Sequence, residues 1–263
     1  MLKAAAIAFC LGSISCPTYG QEMAAPIEPP DEIPADLEVV GAKPVSPAAW
    51  PATFIFRVGT GGCTSTAVGK NVILTAAHCV TSGATATVLN AGKTLSVTCT
   101  NHPGYGNGDP ASDFSLCYVK DGLTGFPFET ISTSISYPRV GQQVLLLGFG
   151  CVKAGGSDAS FGVLHLGGAA LLLRPENAKG FATTKGDAAI CFGDSGGAAY
   201  FALDNDASRR LVIGINSRGD INQYSFLSPT ATEGFVAWAI AWSGQNKASI
   251  CGIDPSAKGC RPF

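Results

Sequence analysis

Apolar and polar residues alternate along this chain in short runs, each closed by Gly, Asn or Pro. The runs fall at residues 53–58, 65–68, 72–76, 85–89, 94–98 and 114–119. The same texture returns at residues 143–148, 162–166, 170–173, 197–203, 211–216 and 223–227, and no sequence repeat links the two halves. Period-two alternation in segments this short predicts half-buried β-strands joined by tight turns. One stretch departs from it. Phe235, Val236, Trp238, Ala239, Ile240 and Trp242 crowd together with no Gly or Pro between them, which predicts a closing helix over about 232–242, with Glu233 favouring its N-terminal dipole.

Composition sharpens this into an all-β chain. Of 263 residues, 46% are hydrophobic, 14% are charged and 33 are Gly, a balance suited to many strands and turns around a large core. A net charge of −2 gives no footing for a polyanion or a membrane surface, so neither nucleic acid nor a membrane is expected as a partner. Residues 1–20 read as an export signal: Lys3, an apolar run over 4–11, and Thr18-Tyr19-Gly20 as a small-residue cleavage site. The run is too short to cross a bilayer. Cys16 after Ser13-Ile14-Ser15 is only a loose match to a lipid-attachment site, so secretion, extracellular or periplasmic, is the main reading. Ten Cys behind an export signal point to disulfides rather than metal or redox chemistry. Cys10 and Cys16 leave with the signal, and the other eight can pair in many ways. Residues 21–38, rich in Pro and acids, read as an extended, accessible segment.

The candidate chemistry lies in Cys191-Phe192-Gly193-Asp194-Ser195-Gly196-Gly197. Glycines on both sides of a Ser make a tight turn that presents a hydroxyl with free N–H groups beside it, so Gly193 and Ser195 can aim two donors at one oxygen. Ser needs a base and an orienting acid. Three His are present: His78 in Thr75-Ala76-Ala77-His78-Cys79, His102 in a Pro-Gly loop, and His165 between two Leu. His102 is expected at the surface and His165 in a structural role. Asp113 opens the run that ends at Val119. Taken singly, His78 reads as a packed core residue, Asp113 as a strand-cap acid and Asp194 as a turn residue bonding its own backbone.

In order along the chain, Thr75-Ala76-Ala77-His78-Cys79, Asp113 and Gly193-Asp194-Ser195-Gly196-Gly197 resemble the His, Asp and Ser blocks of the trypsin/chymotrypsin-like serine proteases. Val39-Val40-Gly41-Ala42 followed by Trp50-Pro51 is similar to the N-terminus that such enzymes acquire when a propeptide is cut. The resemblance implies two six-stranded antiparallel β-barrels packed together with a C-terminal helix: barrel one over about 39–138, barrel two over about 139–230, the helix, and a protease domain ending near 246. Residues 247–263 are a tail beyond the family pattern. It also implies His78, Asp113 and Ser195 as catalytic residues, Gly193 and Ser195 as the oxyanion hole, and 21–38 as a propeptide cut after Glu38, so that the Val39 ammonium pairs with Asp194. Residues 21–38 hold no basic residue, so the activator is a Glu-preferring protease or the enzyme itself.

The resemblance also bears on the cysteines and the pocket. Cys63 pairs with Cys79 as in the family. By position, Cys99 is expected with Cys117 and Cys251 with Cys260. The usual partner of Cys191 would stand near Gly219, but residues 217–230 hold no Cys, which leaves Cys151. Ala189 is expected at the base of the specificity pocket, with Ile190, Phe192, Ser217, Arg218 and Gly219 around it. No acid is there to read a basic P1. A small or medium apolar P1 is the first expectation, and an acidic P1 read by Arg218 the second. Neither a metal nor a cofactor is expected, and the protein should act as a monomer on protein or peptide substrates. The competing reading is a protease-fold binding or regulatory protein with little turnover.

Overall fold

The computed structural model describes residues 42–90, 93–153, 161–175 and 180–263. Residues 1–20 and 21–38, read above as an export signal and a propeptide, and Val39 lie outside them. In chain order the strands are β1 (Lys43–Pro44), β2 (Thr53–Val58), β3 (Gly61–Gly69), β4 (Val72–Thr75), β5 (Thr85–Asn90), β6 (Lys93–Asn101) and β7 (Ser115–Tyr118), then β8 (Gln143–Gly148), β9 (His165–Leu173), β10 (Ala182–Lys185), β11 (Ala198–Ala202), β12 (Arg210–Gly219) and β13 (Tyr224–Pro229). A short helical turn, α1 (Pro103–Gly106), precedes β7, and α2 (Glu233–Asn246) follows β13.

The strands form two closed antiparallel barrels of six. The first runs β2-β3-β4-β7-β6-β5, and the second runs β9-β10-β13-β12-β11-β8 with β8 returning to β9 and β1 added at β9. Closure removes the free edges that open sheets leave exposed. Alternation fills each barrel: Phe54, Phe56, Ile73, Val88 and Val97 form the first core, and Val144, Leu146, Leu171, Ile213 and Leu227 the second. A third cluster lies between them, where Trp50, Leu74 and Phe114 meet Leu147, Tyr200 and Ile215, with Phe235 and Trp242 of α2.

Two details correct the sequence reading. The runs at 162–166 and 170–173 belong to one strand, β9, because Gly167 and Gly168 continue the ladder opposite Leu146 and Leu145. The sixth strand of that barrel is β10, whose Ala-Thr-Thr-Lys is too short and polar to stand out by periodicity. The helix begins one residue later than expected. Thr232 caps it, its Oγ1 accepting from the Phe235 N–H at 3.2 Å. Among the described residues, no helix is long and apolar enough to cross a membrane.

The segment between the barrels is clamped by the tail. Glu129 N–H donates to the Ala67 carbonyl, Val212 N–H to that of Thr130, Ile131 N–H to that of Cys251 and Arg261 N–H to that of Phe128. The Glu129 carboxylate, fully buried, accepts from Arg210 Nε at 3.0 Å and from Arg261 Nε at 3.2 Å. Arg210 lies 3.6 Å from the centre of the Trp50 ring. Glu129→Ala strands the buried Arg210 cation and should cost about 3–5 kcal/mol. Arg261→Ala, which leaves Glu129 paired with Arg210, should cost distinctly less; urea unfolding of both variants checks the order.

Candidate active site

β4 is buried along its whole length and delivers its C-terminal end to the crevice between the barrels. There a single 3-10 turn, Ala77–Cys79, turns His78 outward. A disulfide from Cys79 to Cys63 on β3 holds the turn. Asp113 immediately precedes the Phe114-to-β7 run that pairs with β4 and β6, and it is wholly buried. Its Oδ1 accepts from the His78 backbone N–H at 2.9 Å, and its Oδ2 from His78 Nδ1 at 2.6 Å. Ser217 on β12 donates its hydroxyl to the same Oδ2 at 2.6 Å. Burial pushes the Asp113 carboxyl up, but the His78 ring, its charge, the Ser217 hydroxyl and the His78 N–H together hold it below the ordinary 3.8. With Nδ1–H committed to Asp113, neutral His78 presents the lone pair of Nε2.

The glycine turn stands opposite. Gly193 has φ +101° and Gly196 φ +80°, a backbone region that side chains disfavour. A Cβ at Gly196 would come within 2.1 Å of Thr75 Oγ1, and one at Gly193 within 2.6 Å of the Phe161 ring. Both barrels pin the turn. Thr64 of β3 donates its hydroxyl to the Gly193 carbonyl at 2.8 Å and its N–H to the Ser195 carbonyl at 2.8 Å, while Gly196 N–H reaches the Asn216 carbonyl at 2.8 Å. Among the described residues, the N–H groups of Gly193 and Ser195 enter no hydrogen bond. Thr64 escaped the sequence reading because an ordinary strand Thr beside a Cys carries no signal of its own.

Asp194 is buried in the second barrel, its Oδ1 accepting from Gly150 N–H and its Oδ2 from Cys191 N–H, both at 2.8 Å. A Cβ on Gly148 or Gly150 would strike it, so the cradle requires glycine there. Among the described residues no cation pairs with it. Burial pushes its carboxyl up to about 7, the two N–H groups offsetting only part of the cost. Cys151, one residue after that cradle, is disulfide-bonded to Cys191, and Cys99–Cys117 and Cys251–Cys260 complete the set. His78 also lies close to Cys63 and Cys79, the three ligand atoms within 4.8 Å of one another, but sulfurs joined in a disulfide offer no thiolate to a metal.

A hollow between these parts is lined by His78, Ser195, Ile190, Cys191, Phe192, Ser217, Arg218, Gly219 and Ile221. Ala189 is fully buried and does not line it. Ile190 lines it beside Gly219: a Cβ built on Gly219 would sit 3.0 Å from Ile190 Cγ1, which leaves no room for a side chain there. Phe192 is 68% exposed at the rim. The Ser217 side chain is committed to Asp113 rather than to the hollow, and Arg218 extends over the Phe181 ring, 4.9 Å from its centre. His102 contradicts the surface-loop expectation. It is buried against Phe114 and Trp238, its Nδ1 accepting from Gly104 N–H at 3.0 Å and its Nε2 donating to the Gly234 carbonyl at 3.2 Å. Burial lowers its pKa, and in its neutral form it ties the loop before Asp113 to α2. His165 is buried in β9.

Two six-stranded barrels meeting at a Ser, a His and a buried Asp define the architecture of a chymotrypsin-like fold. The trypsin family model matches residues 39–238, and the chain belongs to the trypsin family. No curated protein matches the sequence.

The Ser217→Ala variant should lose about 1.5–3 kcal/mol, the worth of a hydrogen bond to a charged group. The depressed Asp113 carboxyl contributes stability that is present above pH 3.8 and lost as pH falls through its lower folded value. Removing one donor should move that acid limb to higher pH, which thermal melts between pH 2 and 7 read directly.

Proposed function

We propose that this protein is a secreted serine endopeptidase made as a zymogen. The observation that carries the reading is the chain of hydrogen bonds from Ser217 through the buried Asp113 to His78, on the wall of the hollow that also holds Ser195. His78 Nε2 takes the proton of Ser195 Oγ as the oxygen attacks a peptide carbonyl. Asp113 fixes the tautomer and stabilises the imidazolium. The N–H groups of Gly193 and Ser195 receive the oxyanion, and each such donor is worth on the order of 100-fold in turnover. The C–N bond then breaks, and the amine leaves with the proton from His78. Water attacks the acyl-enzyme by the same route in reverse, giving its proton to His78 and freeing Ser195. No cofactor enters.

The buried Ala189 and the closeness of Ile190 to Gly219 support a shallow P1 site for a small apolar side chain, and among the described residues no carboxylate lines the hollow to favour Arg or Lys. The export signal, the disulfides and the trypsin-family domain support secretion of a monomer that acts on proteins or peptides. Cleavage after Glu38 by an activating protease would free the Val39 ammonium for Asp194. The shallow hollow is also the one feature that favours the second reading, a protease-fold protein that binds without turnover.

Incubation of the form beginning at Val39 with a peptide library, read by mass spectrometry, should show cleavage after Ala, Val or similarly small residues, and none with Ser195→Ala. Intact peptides, or cleavage that survives in Ser195→Ala, would overturn the reading. Activation has its own test. A carboxyl raised to about 7 in the fold against 3.8 outside it gives stability that is full below pH 3.8 and is lost as pH rises through 7. Uncut protein should therefore melt lower at pH 8 than at pH 5 by a margin that Asp194→Asn removes and that cutting to Val39 also reduces.

A further inference from the structure

We propose that Arg218 makes this site a reader of acidic peptides, binding a carboxylate two or four residues before the scissile bond (P2 or P4) rather than at P1. The inference rests on the hydrolytic site above for the placement of Ser195, and on independent geometry for the rest. β12 is paired with β13 as far as Gly219, whereas β11 covers it only to Ile215. Asn216 is taken up by Gly196 and Gly197, so the edge from Ser217 to Gly219 faces the crevice with no partner strand among the described residues. A peptide can add there as an antiparallel strand, with main-chain bonds for affinity and side-chain pockets for selectivity.

Alternation then separates its side chains. With the scissile carbonyl at Ser195, P1 and P3 face one way and P2 and P4 the other. The P1 side meets Ile190 and Gly219. Along β12 the Ser217 side chain turns to Asp113, whereas Arg218 extends across Phe181, 4.9 Å from the ring centre, where an aromatic face orients a guanidinium without neutralising it. Arg218 is exposed, and among the described residues no carboxylate pairs with it. The nearest in sequence, Asp220, is occupied by the N–H groups of Asn222, Gln223 and Tyr224. An exposed cation pre-oriented on an aromatic ring beside an open strand edge selects a peptide carboxylate by charge and by reach.

The test reads binding rather than turnover. Fluorescence anisotropy with Ser195→Ala protein beginning at Val39 would compare Ala-rich octapeptides that carry a single Glu at P2, P3 or P4. Glu at P2 or P4 should tighten binding about two- to fivefold over the Ala peptide, with the gain fading at high salt. Glu at P3, on the other face, should bring no gain. Arg218→Ala should abolish the preference, and Arg218→Glu should turn it toward Lys at the same position. Equal binding of all the peptides, a gain at P3 alone, a preference that survives Arg218→Ala, or no binding of any peptide would overturn the proposal. Because no bond is cleaved in this assay, acidic selectivity can stand or fall apart from the hydrolytic reading, which is judged by the library digestion.

Discussion

The crevice is organised by one buried carboxylate. Asp113 has no exposed surface, and an ion so placed is tolerated only when every strong acceptor site is used. His78 supplies two donors from barrel one, and Ser217 supplies one from barrel two. Satisfying the charge therefore fixes the imidazole and registers one barrel against the other at the same point. Thr64 repeats the device from the opposite direction, reaching from β3 to the Gly193 and Ser195 carbonyls. Around these polar cross-links, the apolar cluster of Trp50, Phe114, Leu147, Tyr200 and Phe235 excludes water and gives the bonds their rigidity.

Asp194 presents the contrasting case. It is as deeply buried as Asp113, yet it has two N–H donors and no cation among the described residues, so its carboxyl is pushed up instead of down. Two carboxylates in one site thus differ in protonation through their partners alone. Under the proposed activation, an ammonium arriving at Asp194 would be drawn by this uncompensated acid, and the glycine turn that holds Ser195 would be stabilised with it. The tail contributes through a third buried acid, Glu129, which gathers Arg210 and Arg261 and locks the segment between the barrels.

The architecture was legible because its signals were redundant: alternating runs, glycine turns and ordered motifs agreed on the two barrels, and the closing helix stood out by its uninterrupted apolar run. What escaped did so for local reasons. β10 is too short for a period, and Gly167-Gly168 looks like a break but lies inside a ladder. His102 sits beside Pro103 and Gly104, as loop residues do, but α2 packs over it from 132 positions away, a contact that no local pattern encodes. Ser217 and Arg218, read together as pocket lining, both border the hollow, but the divergence of their side chains was not foreseen. Strand alternation sends the first to Asp113 and the second to Phe181. The narrowing of the hollow at Ile190 depends on its closeness to Gly219, which only the folded backbone brings about.

The central claim is that Ser195 is a nucleophile activated by His78 and Asp113 once the chain begins at Val39. Fluorophosphonate labelling of purified protein starting at Gln21 and at Val39, with Ser195→Ala and His78→Ala as controls, addresses it most directly. The account predicts rapid labelling of the Val39 form, little labelling of the Gln21 form and none in Ser195→Ala, with His78→Ala slowed by orders of magnitude. Folded Val39 protein that fails to label, or that labels equally well without His78, would contradict it.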